Sequence, residues 1–228
     1  MTTPVDARDS LCSDDDAEAL GAPVHRDVAA HLRALQREAQ DAGFDLRVFS
    51  GFRGFEQQLS IWNRKVGGEL AVLDSNAVPI DIERLDDRAL MFAILRWSAL
   101  PGTSRHHWGT EVDVFDAAAR PEGYEIELIP EEVEGDGMFA PMHDWIDQRM
   151  SLGQAHGFFR PYDRDRGGVA PERWHLSHRP VAIRYEEAWT TDALRAVLAN
   201  SDIALKATVL EHLDEIWSRY VININRPT

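Results

Sequence analysis

The chain has 228 residues, 44% hydrophobic and 28% charged, which is enough apolar content to fill one substantial core and too much for a disordered segment. Its 24 Lys and Arg against 39 Asp and Glu give a formal charge of −15, which argues against capture of a nucleic-acid backbone or of anionic lipid headgroups. There is no apolar run of the roughly eighteen residues a membrane-spanning helix needs, and the single cysteine, Cys12, cannot form an internal disulfide.

Residues 1–22 are polar and acidic, without the basic end and apolar run of a secretory signal. They are expected to form a loosely attached arm with one short helical turn, and a cytoplasmic location is the default, with periplasmic action requiring another route. From 24 to 42, Val28, Leu32, Leu35, Ala39 and Ala42 recur at steps of three and four, which predicts an amphipathic helix stopped by Gly43. Phe44, Leu46 and Val48 alternate with polar residues, so 44–49 reads as a half-buried strand that runs into Ser50-Gly51-Phe52-Arg53. A second helix is expected over 54–65, before Gly67-Gly68, while 69–84 shows no clear period.

An acidic first turn opens a helix over 86–98, with Phe92 and Trp97 in its core face and Pro101-Gly102 closing it. Alternation and β-branched residues predict a strand over 110–115. Pro121, Gly123, Pro130, Gly135 and Gly137 make 117–137 a long loop with a short strand at 124–128, and Glu131, Glu132 and Glu134 read as solvated charges. Beyond it come a helix over 138–156, strands near 158–160 and 173–178, and helices over 190–199 and 204–220. Short strands separated by helices and long loops point to an α+β fold, a small central antiparallel sheet flanked by helices. The expected organisation is an arm (1–22), one catalytic domain (23–188) and a helical extension packed on it (189–228).

Nine histidines need sorting. His25, His31, His143, His156 and His212 lie on predicted helices or their edges without a partner pattern and read as structural. Two clusters differ: Ser104-Arg105-His106-His107-Trp108-Gly109-Thr110-Glu111-Val112-Asp113 and Glu172-Arg173-Trp174-His175. The first delivers an imidazole and a carboxylate to one loop–strand junction. The second sets a carboxylate three residues before a histidine, so that one can bind a metal while the other faces its water. Two histidines and a carboxylate make an open three-ligand zinc site, and a nearby Glu can act as general base.

In these motifs the chain resembles the zinc D-Ala-D-Ala carboxypeptidases and dipeptidases associated with vancomycin resistance, which are grouped with the L-alanyl-D-glutamate peptidases of phage endolysins. Ser104, His106, Gly109 and Asp113 match that family's Ser-x-His-x-x-Gly-x-Ala-x-Asp motif. Glu172 and His175 match its Glu-x-x-His, and Ser50-Gly51-Phe52-Arg53 its Ser-Gly-Tyr-Arg. Gln58, Trp174 and Gly157-Phe158 fall on further family positions, and the likeness spans roughly residues 25–185.

The resemblance implies one zinc ion per chain held by His106, Asp113 and His175, with Glu172 as base and Arg53 stabilising the oxyanion. It further implies Ser50, Gln58 and Ser104 as substrate-binding groups. A guanidinium suits its assigned task, being permanently charged and able to donate two hydrogen bonds. His107 is an alternative ligand, but the spacings to Ser104 and Asp113 favour His106. The family's small Ala is replaced by Glu111, which alternation puts on the face of Asp113. It could support a ligand, read substrate or be turned away by a bulge. Trp108 and Trp174 are expected as packing walls.

The expected function is hydrolysis of peptidoglycan stem peptides, foremost as a D-alanyl-D-alanine carboxypeptidase, with L-alanyl-D-glutamate endopeptidase or D-Ala-D-Ala dipeptidase as alternatives. The partner is a stem peptide or a small peptide containing D-Ala-D-Ala. A catalytically silent, zinc-containing wall-binding module is the non-enzymatic alternative, against which the retained Glu172 argues.

Overall fold

The computed structural model describes residues 6–226. The first five residues of the expected arm and the last two of the expected extension lie outside them. A four-stranded antiparallel sheet has the order β1 (Leu46–Ser50), β2 (Glu111–Asp116), β4 (His175–His178), β3 (Phe158–Phe159), and helices flank it, so the fold is α+β. Period-two alternation gives each strand two different faces. Leu46 and Val48 of β1, Val112 and Val114 of β2 and Leu176 of β4 point into one core with Val28, Leu32, Leu35 and Ala39 of α2 (Arg26–Asp41). Glu111 and Asp113 of β2, and His175 and Ser177 of β4, occupy the opposite face and are buried too.

The opening segment is docked rather than loose. α1 (Asp14–Leu20) is capped by Ser13 and ends at Gly21 with φ 90°; Leu20 sits in the first core. The Ala7 amide donates to the His107 carbonyl (2.8 Å), and Asp6 accepts from the Phe55 amide (3.2 Å), so this segment braces the loop that carries the first histidines.

A second core lies between α3 (Phe55–Val66), α4 (Asp87–Leu95) and the C-terminal helices. Trp62, fully buried, donates its indole N–H to the Ala204 carbonyl at 3.0 Å. Val72 of the irregular 69–84 stretch also joins this core.

Between β2 and β4 the expected strand at 124–128 does not form. A short helix, α5 (Pro130–Val133), follows instead, and Glu132 is buried, contrary to its reading as a solvated charge. Its carboxylate accepts from the Tyr124 hydroxyl and the Glu127 and Leu128 amides, each at 2.9 Å, and so replaces the ladder that segment lacks. α6 (Ala140–Ser151) stops earlier than expected because Gly153 turns left-handed, φ 67°.

α7 (Arg179–Ala188) was not anticipated. Pro180 reads as a breaker but lies in the first turn, where its missing N–H costs nothing. The expected 204–220 helix is divided into α9 (Lys206–Glu211), α10 (Leu213–Ile216) and a π-helical turn (Trp217–Val221), after α8 (Thr191–Ala199).

Candidate active site

His106 lies in a 3₁₀ turn (Arg105–Trp108) that ends at Gly109, φ 65°. A Cβ there would stand 2.7 Å from the His25 amide nitrogen, whose N–H donates to the Gly109 carbonyl at 2.7 Å. Glycine thus meets both a left-handed turn and a close backbone approach. The turn swings His106 back over β2, where Asp113 and His175 are direct partners across the antiparallel pair.

The three side chains converge. His106 Nε2 is 3.3 Å from Asp113 Oδ2, and His175 Nδ1 is 2.9 Å from Asp113 Oδ1. The imidazoles meet edge to face with centroids 4.9 Å apart. One donor atom from each residue lies within 4.8 Å of the others. His106 Nδ1 donates to the Gly51 carbonyl (2.7 Å), which leaves Nε2 as its ligand nitrogen. His175 presents Nδ1, with Nε2 turned 3.2 Å from Glu111 Oε2.

His107 points elsewhere. Its Nε2 accepts from the Gly102 amide (3.0 Å) and its Nδ1 donates to the Arg53 carbonyl (2.6 Å), so both nitrogens are committed to holding backbone. Burial lowers its pKa to about 4, consistent with a neutral ring.

Burial alone would raise Asp113, but the two imidazoles overcome it and hold the carboxyl well below the usual range. Burial likewise opposes a charge on His175, yet Asp113 and Glu111 raise it to about 10. Two carboxylates thus face the two nitrogens of the His175 ring, an environment that favours a cation beside it. A divalent cation can supply that charge in place of a proton. Two imidazoles, one with its rear nitrogen bonded to the Gly51 carbonyl and the other with its rear nitrogen facing Glu111, and one carboxylate fit a single zinc ion with an open fourth corner.

Glu172, whose side chain is 13% exposed, lies with Oε2 3.9 Å from His175 Nδ1. Burial raises it to about 7, with Asp113 adding and His175 opposing, a value suited to a group that takes and returns a proton at neutral pH. Arg53 is fixed at both ends: its amide donates to the His106 carbonyl (3.1 Å), and its guanidinium donates to Gln58 Oε1 and Ser50 Oγ, each at 3.0 Å.

A cleft of about 240 Å³ opens over these groups, lined by Arg53, Ser104 and Glu172 together with the three metal-facing residues. Ser50 and Gln58 lie behind Arg53. Gln58 is fully buried, and its amide is spent on Arg53 and the Ala99 carbonyl (2.7 Å). Trp174 packs against Trp97, and Trp108 stacks on Tyr185. Trp97 and Trp174 are cleft walls, so Trp97 is not purely core.

Among the lining residues that escaped the sequence reading are the titratable Lys65, Glu127 and Tyr162. Tyr162 packs on His175 at 5.2 Å, and burial raises its phenol. Lys65 donates to the Ala71 carbonyl (2.9 Å) and is lowered by burial. The one available signal was placement, Tyr162 in the loop before Glu172 and Lys65 at the end of the helix after Arg53.

A family model described as VanY, D-alanyl-D-alanine carboxypeptidase, matches residues 21–181. An uncharacterized protein of Haemophilus influenzae is 29% identical over 125 residues, covering 54% of this chain and 93% of that protein. A second one from the same organism is 48% identical over 69 residues, 30% of this chain and 47% of that one. Among solved structures, VanYB in complex with D-alanine-D-alanine is similar over 85% of this chain and 84% of that chain, with TM-score 0.49 and 22% identity.

Proposed function

The chain belongs to the VanY family of D-alanyl-D-alanine carboxypeptidases, and we propose that it is a zinc peptidase that removes the terminal D-alanine from peptidoglycan stem peptides or related D-Ala-D-Ala peptides. The observation that carries this reading is the convergence of His106, Asp113 and His175 beside a half-buried carboxylate, Glu172, in the lining of one cleft.

A zinc ion held by those three residues would polarise the scissile carbonyl and make water acidic enough to react near neutral pH. Glu172 takes a proton from the attacking water onto its carboxylate and passes it to the leaving amine. Arg53, held by Ser50 and Gln58, donates to the carbonyl oxygen as negative charge develops there. Because the guanidinium is oriented before substrate arrives, little reorganisation is needed at the transition state. Ser104 lines the cleft and is a hydrogen-bonding group for the substrate.

The test is mass spectrometry of products from muropeptides incubated with zinc-loaded wild type and with Glu172→Ala confirmed to hold zinc. The expected outcome is loss of a single terminal alanine with wild type alone. Release of dialanine would replace carboxypeptidase action by the dipeptidase reading, and cleavage between L-alanine and D-glutamate would make the protein an endopeptidase. No hydrolysis by zinc-loaded wild type would favour a wall-binding module.

A further inference from the structure

Glu111 is fully buried and does not line the cleft, so it is placed neither to read substrate nor to meet solvent. One of its carboxylate oxygens is well supplied: Oε1 accepts from Thr110 Oγ1 (2.9 Å) and Ser177 Oγ (2.8 Å) and lies 3.2 Å from Arg105 Nε. Arg105 is itself held, donating to Glu186 Oε1 and Ser177 Oγ, each at 2.8 Å. The other oxygen, Oε2, takes no part in that network and stands 3.2 Å from His175 Nε2. Burying a carboxylate is costly unless it is paired. Here the pairing with Arg105 leaves one oxygen directed at the rear of a metal-facing imidazole.

We propose that Glu111 is a positioning residue for the metal centre: anchored by Arg105, it orients the ring of His175 and keeps the proton on Nε2, so that Nδ1 is offered to the ion. The inference rests on the metal reading above. The opposite tautomer would set the lone pair of Nε2 against a carboxylate and direct a proton at the metal side, so Glu111 selects between the two. Carboxylates behind ligand histidines fix ring orientation and strengthen the donor in just this manner.

The test is zinc affinity, measured by competition with a chromogenic chelator, together with melting of the chelator-treated proteins. Glu111→Ala is expected to weaken zinc binding by about 10–100-fold. Glu111→Gln, which keeps an acceptor oxygen of equal reach, is expected to recover most of that loss. Zinc binding by Glu111→Ala as tight as wild type, with only a lower melting temperature of the metal-free form, would reduce Glu111 to a packing role and overturn the proposal.

Should Glu111→Ala not fold, nitrogen-15 imidazole spectra of the zinc-loaded wild type decide alone. A metal-bound Nδ1 and a protonated Nε2 on His175 support the proposal, and the reverse overturns it. Failure of wild type to bind zinc would remove the metal reading itself, an outcome distinct from zinc bound with Glu111 idle.

Discussion

Glu172 and His175 are three residues apart, and burial disfavours the charged form of both. The carboxyl is pushed up to about 7, whereas the imidazole is held near 10 by its two carboxylate neighbours. In the proposed mechanism Glu172 moves the proton while His106, Asp113 and His175 hold the ion. Glu172→Gln is expected to retain zinc by metal analysis while hydrolysis falls about 10²–10⁴-fold. Gln58 acts one layer further back. Gln58→Ala would leave Arg53 Nη1 and the Ala99 carbonyl without their partners, which is expected to cost about 1–3 kcal/mol of stability. Steady-state kinetics should show kcat falling more than KM changes, with zinc content unaltered. Most of these residues were legible because three spaced motifs agree in order. Lys65, Glu127 and Tyr162 were not: Glu127 and Tyr162 reach the cleft from loops and Lys65 from the end of α3, and each is selected by proximity alone.

At the scale of elements, the site depends on a turn and a strand pair. The left-handed Gly109 lets the 3₁₀ turn fold onto His25 and return His106 above β2. Gly109→Ala adds both an unfavourable φ and a backbone collision. It is expected to lower the melting temperature and zinc affinity together, checked by calorimetry with and without added zinc. β1 and β2 were readable from alternation, and α2 from its three-to-four spacing. α7 was hidden by Pro180. The 124–128 segment alternates like a strand, yet its amides go to the buried carboxylate of Glu132, a tertiary arrangement that no local pattern encodes.

Over the whole molecule, residues beyond the two histidine-and-carboxylate clusters hold the cleft wall from outside. Arg219 donates to the Gly167 carbonyl (3.0 Å), Asn223 to that of Arg166 (3.0 Å) and Asn225 to that of Arg160 (3.1 Å), so the chain's end fastens the loop that bears Tyr162. The sequence announced helices there but not their purpose, since the contacts join segments far apart along the chain.

Stability should respond to acid through histidines kept neutral by the cores. His178 is buried, packed between a tilted His31 ring (4.5 Å) and an edge-on Phe158 ring (5.3 Å), with its pKa lowered to about 4 chiefly by burial and further by His31. The unfolded chain binds this proton first, so stability present above pH ~6.5 is lost as pH falls toward ~4. That amounts to about 2 kcal/mol between pH ~6.5 and ~5. Denaturant unfolding of the metal-free protein at pH ~7 and ~5 is expected to show a smaller decline for His178→Phe than for wild type.

Asp113 and His175 are facing rungs of β2 and β4, although 62 positions separate them in the chain. An ion gripped by both would therefore clamp the two strands where β4 begins, at the end of their paired register. Loading and chelation would then tighten and loosen the centre of the sheet itself, and deuterium uptake at Val112 and Leu176 would register the ion's arrival as slowed exchange.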